Sequence, residues 1–234
     1  MGHGATAVPI TQPTGSMAFG QILNSAQTLL SRSAVSSSET QLTSKQMDQI
    51  GKELEVRAIQ GDLDGVQDIL ARHSDTIPKK TLNLSLRGAV KGCTTAVLDY
   101  SIQCVEMLID AGANINSEEA NEGKTALMMA CEKGYLELVS NLLDHDALID
   151  HKDQRKRTPL MYAIGTTAQN FDVVNELLNR GANVNEPTLT GLTPLLLATK
   201  KEHAAIVKLL LARGAEISAQ FPEDLNSSLH YACI

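Results

Sequence analysis

Leu177-Leu178-Asn179-Arg180-Gly181-Ala182-Asn183-Val184-Asn185 closes one stretch of this chain, and three other stretches close in nearly the same words. They are Leu108-Ile109-Asp110-Ala111-Gly112-Ala113-Asn114-Ile115-Asn116, Leu142-Leu143-Asp144-His145-Asp146-Ala147-Leu148-Ile149-Asp150 and Leu210-Leu211-Ala212-Arg213-Gly214-Ala215-Glu216-Ile217-Ser218. The steps from Gly112 to Asp146 to Gly181 to Gly214 are 34, 35 and 33 residues. A period of that length marks a solenoid of helical hairpins. Such a unit cannot bury its apolar face alone, so units stack, and the stack offers a surface rather than an enclosed catalytic pocket.

A second motif precedes each ending. It reads Thr125-Ala126-Leu127-Met128-Met129-Ala130, Thr158-Pro159-Leu160-Met161-Tyr162-Ala163 and Thr193-Pro194-Leu195-Leu196-Leu197-Ala198. Thr158 and Thr193 suit a helix N-cap, where a hydroxyl accepts an orphan backbone N–H. Pro159 and Pro194 suit the first helical position, where a missing N–H costs nothing. Gly112, Gly181 and Gly214 suit a left-handed residue closing the second helix, and Asp146 fills that place at an expected cost of about 0.5–1 kcal/mol. These strings resemble the T-P-L-H-x-A opening and Leu-Leu-x-x-Gly-Ala ending of ankyrin repeats, over residues 48–234, about four-fifths of the chain. The resemblance implies an all-α ankyrin solenoid of helix-turn-helix units with short hairpin-like loops, binding proteins through turn tips and the inner face of the first helices.

Five repeats are expected, near 48–80, 81–120, 121–153, 154–188 and 189–222, within a domain spanning 43–234. Thr43 with Gln46 reads as a capping box, followed by a stripe of Met47, Ile50, Leu54 and Ala58. After the turn at Gly61, Leu63, Val66 and Leu70 are expected to face inward. The second unit lacks a recognisable opening and has an enlarged first-helix region, Leu82 to Tyr100. The fourth carries about two extra residues, placed at the turn Gly165-Thr166-Thr167-Ala168. Ser227-Ser228-Leu229-His230-Tyr231-Ala232 opens a sixth repeat that Ile234 cuts short, as though the chain were the N-terminal part of something longer. Where the family usually has His, Met128, Met161 and Leu196 stand, so the Thr–His hydrogen bond should be absent and packing alone should hold those turns. Residues 1–42, rich in Ser, Thr and Gln, are expected to be mostly disordered, with a short helix near 17–32 carrying Ile22, Leu23, Ala26, Leu29 and Leu30 on one face.

Composition narrows the function. The hydrophobic content of 43% with no Trp, three Phe and four Tyr predicts an aliphatic core. A net charge of −7 argues against a general nucleic-acid binder. Cys93, Cys104, Cys131 and Cys233 lie far apart without a CxxC and read as buried small hydrophobes in a reducing compartment. No signal peptide or membrane-length apolar run is present, so a soluble, cytoplasmic protein is expected. Met1-Gly2-His3-Gly4-Ala5-Thr6 fits a loose acylation pattern with no basic cluster after it. Ala7-Val8-Pro9-Ile10 matches, away from the free N-terminus it would require, a tetrapeptide that binds inhibitor-of-apoptosis proteins. The six His are scattered, His145 and His151 near turns and His203 at a helix junction, and read as polar surface. No phosphate loop, metal motif or aimed carboxylate pair appears, so neither catalytic residues, cofactor nor metal is expected.

Mapped onto the resemblance, the partner-binding candidates are Lys124, Lys133, Lys152, Arg155, Arg157, Leu189, Leu192, Lys200 and Lys201. The cations make one edge basic in an acidic chain, with Lys152, Arg155, Lys156 and Arg157 inside six residues. Leu189 and Leu192 would add an apolar anchor. A protein partner with an acidic surface is expected, steered by charge, with the chain itself a monomer that neither enters a membrane nor binds nucleic acid. The alternatives are the targeting arm of a larger enzyme, or an effector that an intracellular bacterium secretes into its host. What lies beyond Ile234 would separate them.

Overall fold

The computed structural model describes residues 43–73, 76–166 and 170–217. The tail expected to be disordered, the helix expected near 17–32, the N-terminal strings, Thr167 and Ala168, Cys233 and the expected sixth-repeat opening lie outside those residues. The described residues form ten α-helices and one 3-10 turn, with no strand among them. The helices come in five antiparallel pairs. These are α1 (Ser44–Gln60) with α2 (Leu63–His73), α3 (Lys79–Gly92) with α4 (Leu98–Asp110), α5 (Ala126–Lys133) with α6 (Leu136–Asp144), α7 (Pro159–Gly165) with α8 (Phe171–Asn179), and α9 (Pro194–Lys200) with α10 (Ala204–Ala212). From α3 onward, neighbouring first helices pack more extensively on one another than neighbouring second helices do. The first helices therefore form the more closely packed layer of the stack.

The repeated endings close their helices by the same chemistry. Gly112, Gly181 and Gly214 take φ of +94°, +90° and +87°, and Asp146 takes +62°. The next residue then donates back across the last turn: Ala113 N to Leu108 O (2.9 Å), Ala147 N to Leu142 O (3.0 Å), Ala182 N to Leu177 O (2.9 Å) and Ala215 N to Leu210 O (3.0 Å). The left-handed residue donates to Ile109, Leu143, Leu178 or Leu211 in turn. Together these bonds satisfy orphan carbonyls at the helix end, the Schellman arrangement. The small Ala that follows is buried in all four of these endings.

The openings behave less uniformly. Thr125 and Thr193 accept from the N–H of Met128 and Leu196, at 3.4 and 3.3 Å. Thr158 has the extended backbone of an N-cap, but its hydroxyl makes no capping bond and is buried without a partner. The expectation of a hydroxyl cap holds at Thr193 and fails at Thr158. Thr43 and Gln46 do form the capping box: Gln46 Oε1 accepts the Thr43 N–H at 2.8 Å and Thr43 Oγ1 accepts the Gln46 N–H at 3.4 Å.

In the first unit Leu54 and Ala58 are fully buried, with Met47 and Ile50 half-buried at the start of the stripe. In α2 the inward residues are Val66 and Ile69, with Leu63 and Leu70 only partly buried; the helix is rotated slightly from the expected face. The enlarged region Leu82 to Tyr100 resolves into most of α3, a 3-10 turn at Thr95–Val97 and the start of α4. A Cβ on Gly92 would collide with the Ile59 carbonyl of α1, so α3 ends where only glycine permits that approach. The core is aliphatic, with Leu127, Met128, Leu138, Leu142, Leu160, Ile164, Leu177, Leu196 and Ile206 among its fully buried side chains. Cys93, Cys104 and Cys131 are buried free thiols; burial pushes Cys104 up to about 11 and Cys131 higher still, so both stay protonated and inert at neutral pH. His203 is a correction: at 5% exposure it is buried at the start of α10 rather than at the surface, because the N-cap residue of this helix faces the core.

Candidate functional site

Between the helix pairs the chain makes a finger that reaches past the ends of the first helices. Each finger closes on one backbone bond: Glu119 N to Lys124 O (2.8 Å), Asp153 N to Arg157 O (3.0 Å) and Thr188 N to Leu192 O (3.0 Å). Each tip turns through a left-handed residue, namely Gly123, Lys156 or Gly191, at φ of +74°, +58° and +74°. The fingers are stitched side by side. Gln154 N donates to Glu122 O at 3.2 Å, and one unit further on Leu189 N donates to Arg155 O at 3.0 Å. A second ladder joins the units at the finger bases. Asn116 Oδ1 accepts from Leu148 N, Asp150 Oδ1 from Asn183 N and Asn185 Oδ1 from Glu216 N, at 2.8, 2.9 and 2.9 Å. Packing alone was expected to hold these turns; these bonds between units, rather than any Thr–His pair, share that task.

The fourth finger has an internal skeleton. The Asp153 side chain has no solvent exposure and accepts from Arg155 N (2.9 Å), Arg157 N (2.6 Å), Arg157 Nε (2.7 Å) and the Tyr162 hydroxyl (2.8 Å). Burial pushes its carboxyl upward, but the bonds from the Arg157 backbone, Tyr162 and the Arg157 side chain outweigh it and hold the group below the usual carboxylate range. The Tyr162 hydroxyl, buried and bonded to a carboxylate, is pushed well above its ordinary value. Two cations flank the same ring: Lys124 Nζ lies 5.0 Å from its centroid and the Arg157 guanidinium 4.7 Å.

The candidate residues therefore divide. Lys124 bridges Glu122 and Glu132, each at 3.1 Å, and its side chain is only 17% exposed. Arg157 pairs with Asp153 at 2.7 Å and reaches Glu122 at 3.7 Å. Lys152 pairs with Glu186 at 2.7 Å. Lys133 donates to the Cys93 carbonyl at 3.2 Å and lies over the Tyr135 ring. These four serve the array's own structure. Arg155, Lys156, Lys200 and Lys201 are exposed and make no salt bridge among the described residues. Leu189 is 62% exposed at the fifth finger, bonded through its backbone to Arg155, whereas Leu192 is half-buried and closes the turn. The structure brings Arg155 and Leu189 together and interleaves the expected basic edge with acids.

The residue pattern alone assigns no role to Asp153 or to Tyr162. A usable signal existed: Tyr162 stands where the neighbouring units carry Met129 and Leu197, so a hydroxyl enters an otherwise apolar register. Among the described residues no cluster of His, Cys, Asp and Glu is placed to hold a metal, and no helix is long and apolar enough to cross a membrane.

A family model of ankyrin repeats in three copies matches residues 94–188 and again 166–234. The ankyrin repeat protein YahD of Escherichia coli (strain K12) is 31% identical over 195 residues, covering 68% of this chain and 94% of that protein. Human ankyrin repeat and KH domain-containing protein 1 is 39% identical over 98 residues, 41% of this chain but 4% of its own length. The human transient receptor potential cation channel subfamily A member 1 is 37% identical over 123 residues, 49% of this chain and 10% of the channel. The chain thus spans nearly the whole of the bacterial relative and a small part of the two human ones.

Proposed function

Because the chain belongs to the ankyrin-repeat family, whose repeats are protein–protein interaction modules, we propose that it binds an acidic protein segment along the fingers and first-helix ends of its third to fifth units. The observation that carries this reading is the pairing of Leu189, 62% exposed, with the exposed cation Arg155 on the neighbouring finger. Lys200 and Lys201, exposed at the end of α9, are the further cations assigned to this surface. An apolar anchor beside unpaired cations can bury area and select charge at once, and the cations chiefly raise association rate and specificity. Lys124, Lys133, Lys152 and Arg157 act beneath this surface by holding the fingers in place. The chain works without catalysis, as a monomeric recruiting surface.

The test compares proteins captured from eukaryotic lysate by the native chain, by Arg155→Glu/Leu189→Ala and by Lys208→Glu, quantified by mass spectrometry. Lys208 is exposed on the second helix α10 and reverses charge on the opposite side. Partners lost from the finger variant and kept by the Lys208 variant support the reading. Partners kept by the finger variant contradict it.

A further inference from the structure

Lys124 and Arg157 belong to different units yet approach the same atom, Oε2 of Glu122, at 3.1 and 3.7 Å. Glu122 is half-exposed, at 50% of its side chain, and sits at the tip of the third finger. Neither cation depends on it for its position. Lys124 is also held by Glu132 at 3.1 Å and rests over the Tyr162 ring, while Arg157 is locked by the buried Asp153 at 2.7 Å and lies over the same ring. Nor does the finger depend on the Glu122 side chain, because its backbone is tied by the Glu119–Lys124 bond and by Gln154. If Glu122 swung into solvent, two fixed cations over the Tyr162 ring would remain without that carboxylate.

We propose that this place is a carboxylate-binding subsite which the chain occupies with its own Glu122, and that an acidic segment of a protein partner binds by displacing it. This rests on the reading of the finger face given above and specifies one of its contacts. A ready-made cation pair costs little ordering on binding, which favours exchange of one carboxylate for another. The Glu122 carboxyl is held below the usual range, first by the Lys124 hydrogen bond and charge, with Arg157 and Arg155 adding to it, in keeping with a site built for a carboxylate anion. Arg155 lies close enough to strengthen the same field, which ties the subsite to the exposed strip. An intramolecular carboxylate competes at high effective concentration, so the native chain should bind acidic partners more weakly than its cations allow.

A fluorescein-labelled octaglutamate peptide, followed by fluorescence anisotropy at low salt, tests this on the full chain. Glu122→Gln should bind it about fivefold more tightly than the native chain, the scale of one exposed ion pair. Glu137→Gln, an exposed change of the same charge on α6, should leave the affinity at its native value. Adding Lys124→Met to Glu122→Gln should remove the gain, with helical circular dichroism reporting that each variant is folded. Equal tightening by Glu122→Gln and Glu137→Gln, or a gain that survives Lys124→Met, overturns the subsite. Binding lost in Arg155→Glu/Lys200→Glu but unchanged in Glu122→Gln rejects the subsite and leaves the wider finger reading standing. Absence of binding by every variant rejects both.

Discussion

Asp153 is a carboxylate without solvent exposure that accepts four hydrogen bonds, and the shape of the fourth finger follows from it. Asp153→Ala would leave the Tyr162 hydroxyl buried without its partner and remove the closer of the two carboxylates held by the half-buried Arg157, so it should cost about 2–3 kcal/mol, read as a lowered Tm. The sign with pH follows from the depressed folded pKa. The charged form's contribution is complete above the unfolded value of about 4 and is lost as pH falls through the folded value. The stability gap between native chain and Asp153→Asn should therefore be widest near neutrality and shrink below about pH 4; a constant gap would contradict the network. At Asp146 the backbone is left-handed at φ +62°, where its three counterparts are glycine. Asp146→Gly should stabilise by about 0.5 kcal/mol, relief of strain being partly offset by the unfolded chain's added freedom. A lowered denaturation midpoint would show that the Asp146 side chain compensates its own strain.

Within an element, identical letters need not perform identical work. Thr193 caps α9 through its hydroxyl while Thr158, in the same motif, does not cap α7. Thr193→Val should cost about 1 kcal/mol and Thr158→Val clearly less, measured by chemical denaturation; equal costs would mean the capping geometry is the same in both. The ladder Asn116, Asp150, Asn185 couples each unit to the next. Asn185→Ala should remove about 1 kcal/mol of that coupling and raise amide exchange in α9 and α10 before the earlier units, as expected where contacts are between nearest neighbours. Uniform acceleration throughout the stack would contradict it. The fold was legible because its period, caps and left-handed endings are local in sequence. The ladder was less so: Asn116, Asp150 and Asn185 stand in the very phrases that define the repeat, but their partners are 31 to 33 residues away and appear only once units are stacked.

Across the whole molecule, charge is arranged more finely than its total of −7 conveys. The sequence predicts a basic edge of Lys124, Lys152, Arg155 and Arg157. It could not show that Glu122, Glu132, Asp153 and Glu186 stand opposite three of them, because pairing across fingers depends on side-chain reach between units. The surface proposed for a partner is narrower, Arg155 with Leu189 and the Lys200–Lys201 end of α9, beside the cation pair on Glu122. The most direct measurement places a photo-crosslinking benzoylphenylalanine at position 189 in one preparation and at position 136 in another, then irradiates each in eukaryotic lysate. Leu136 is likewise exposed, at 39%, but on the second helix α6, away from the fingers. A discrete protein adduct from position 189 and none from position 136 is the predicted result. Adducts from position 136 with none from 189 would place the binding surface on the other side of the stack and contradict the account.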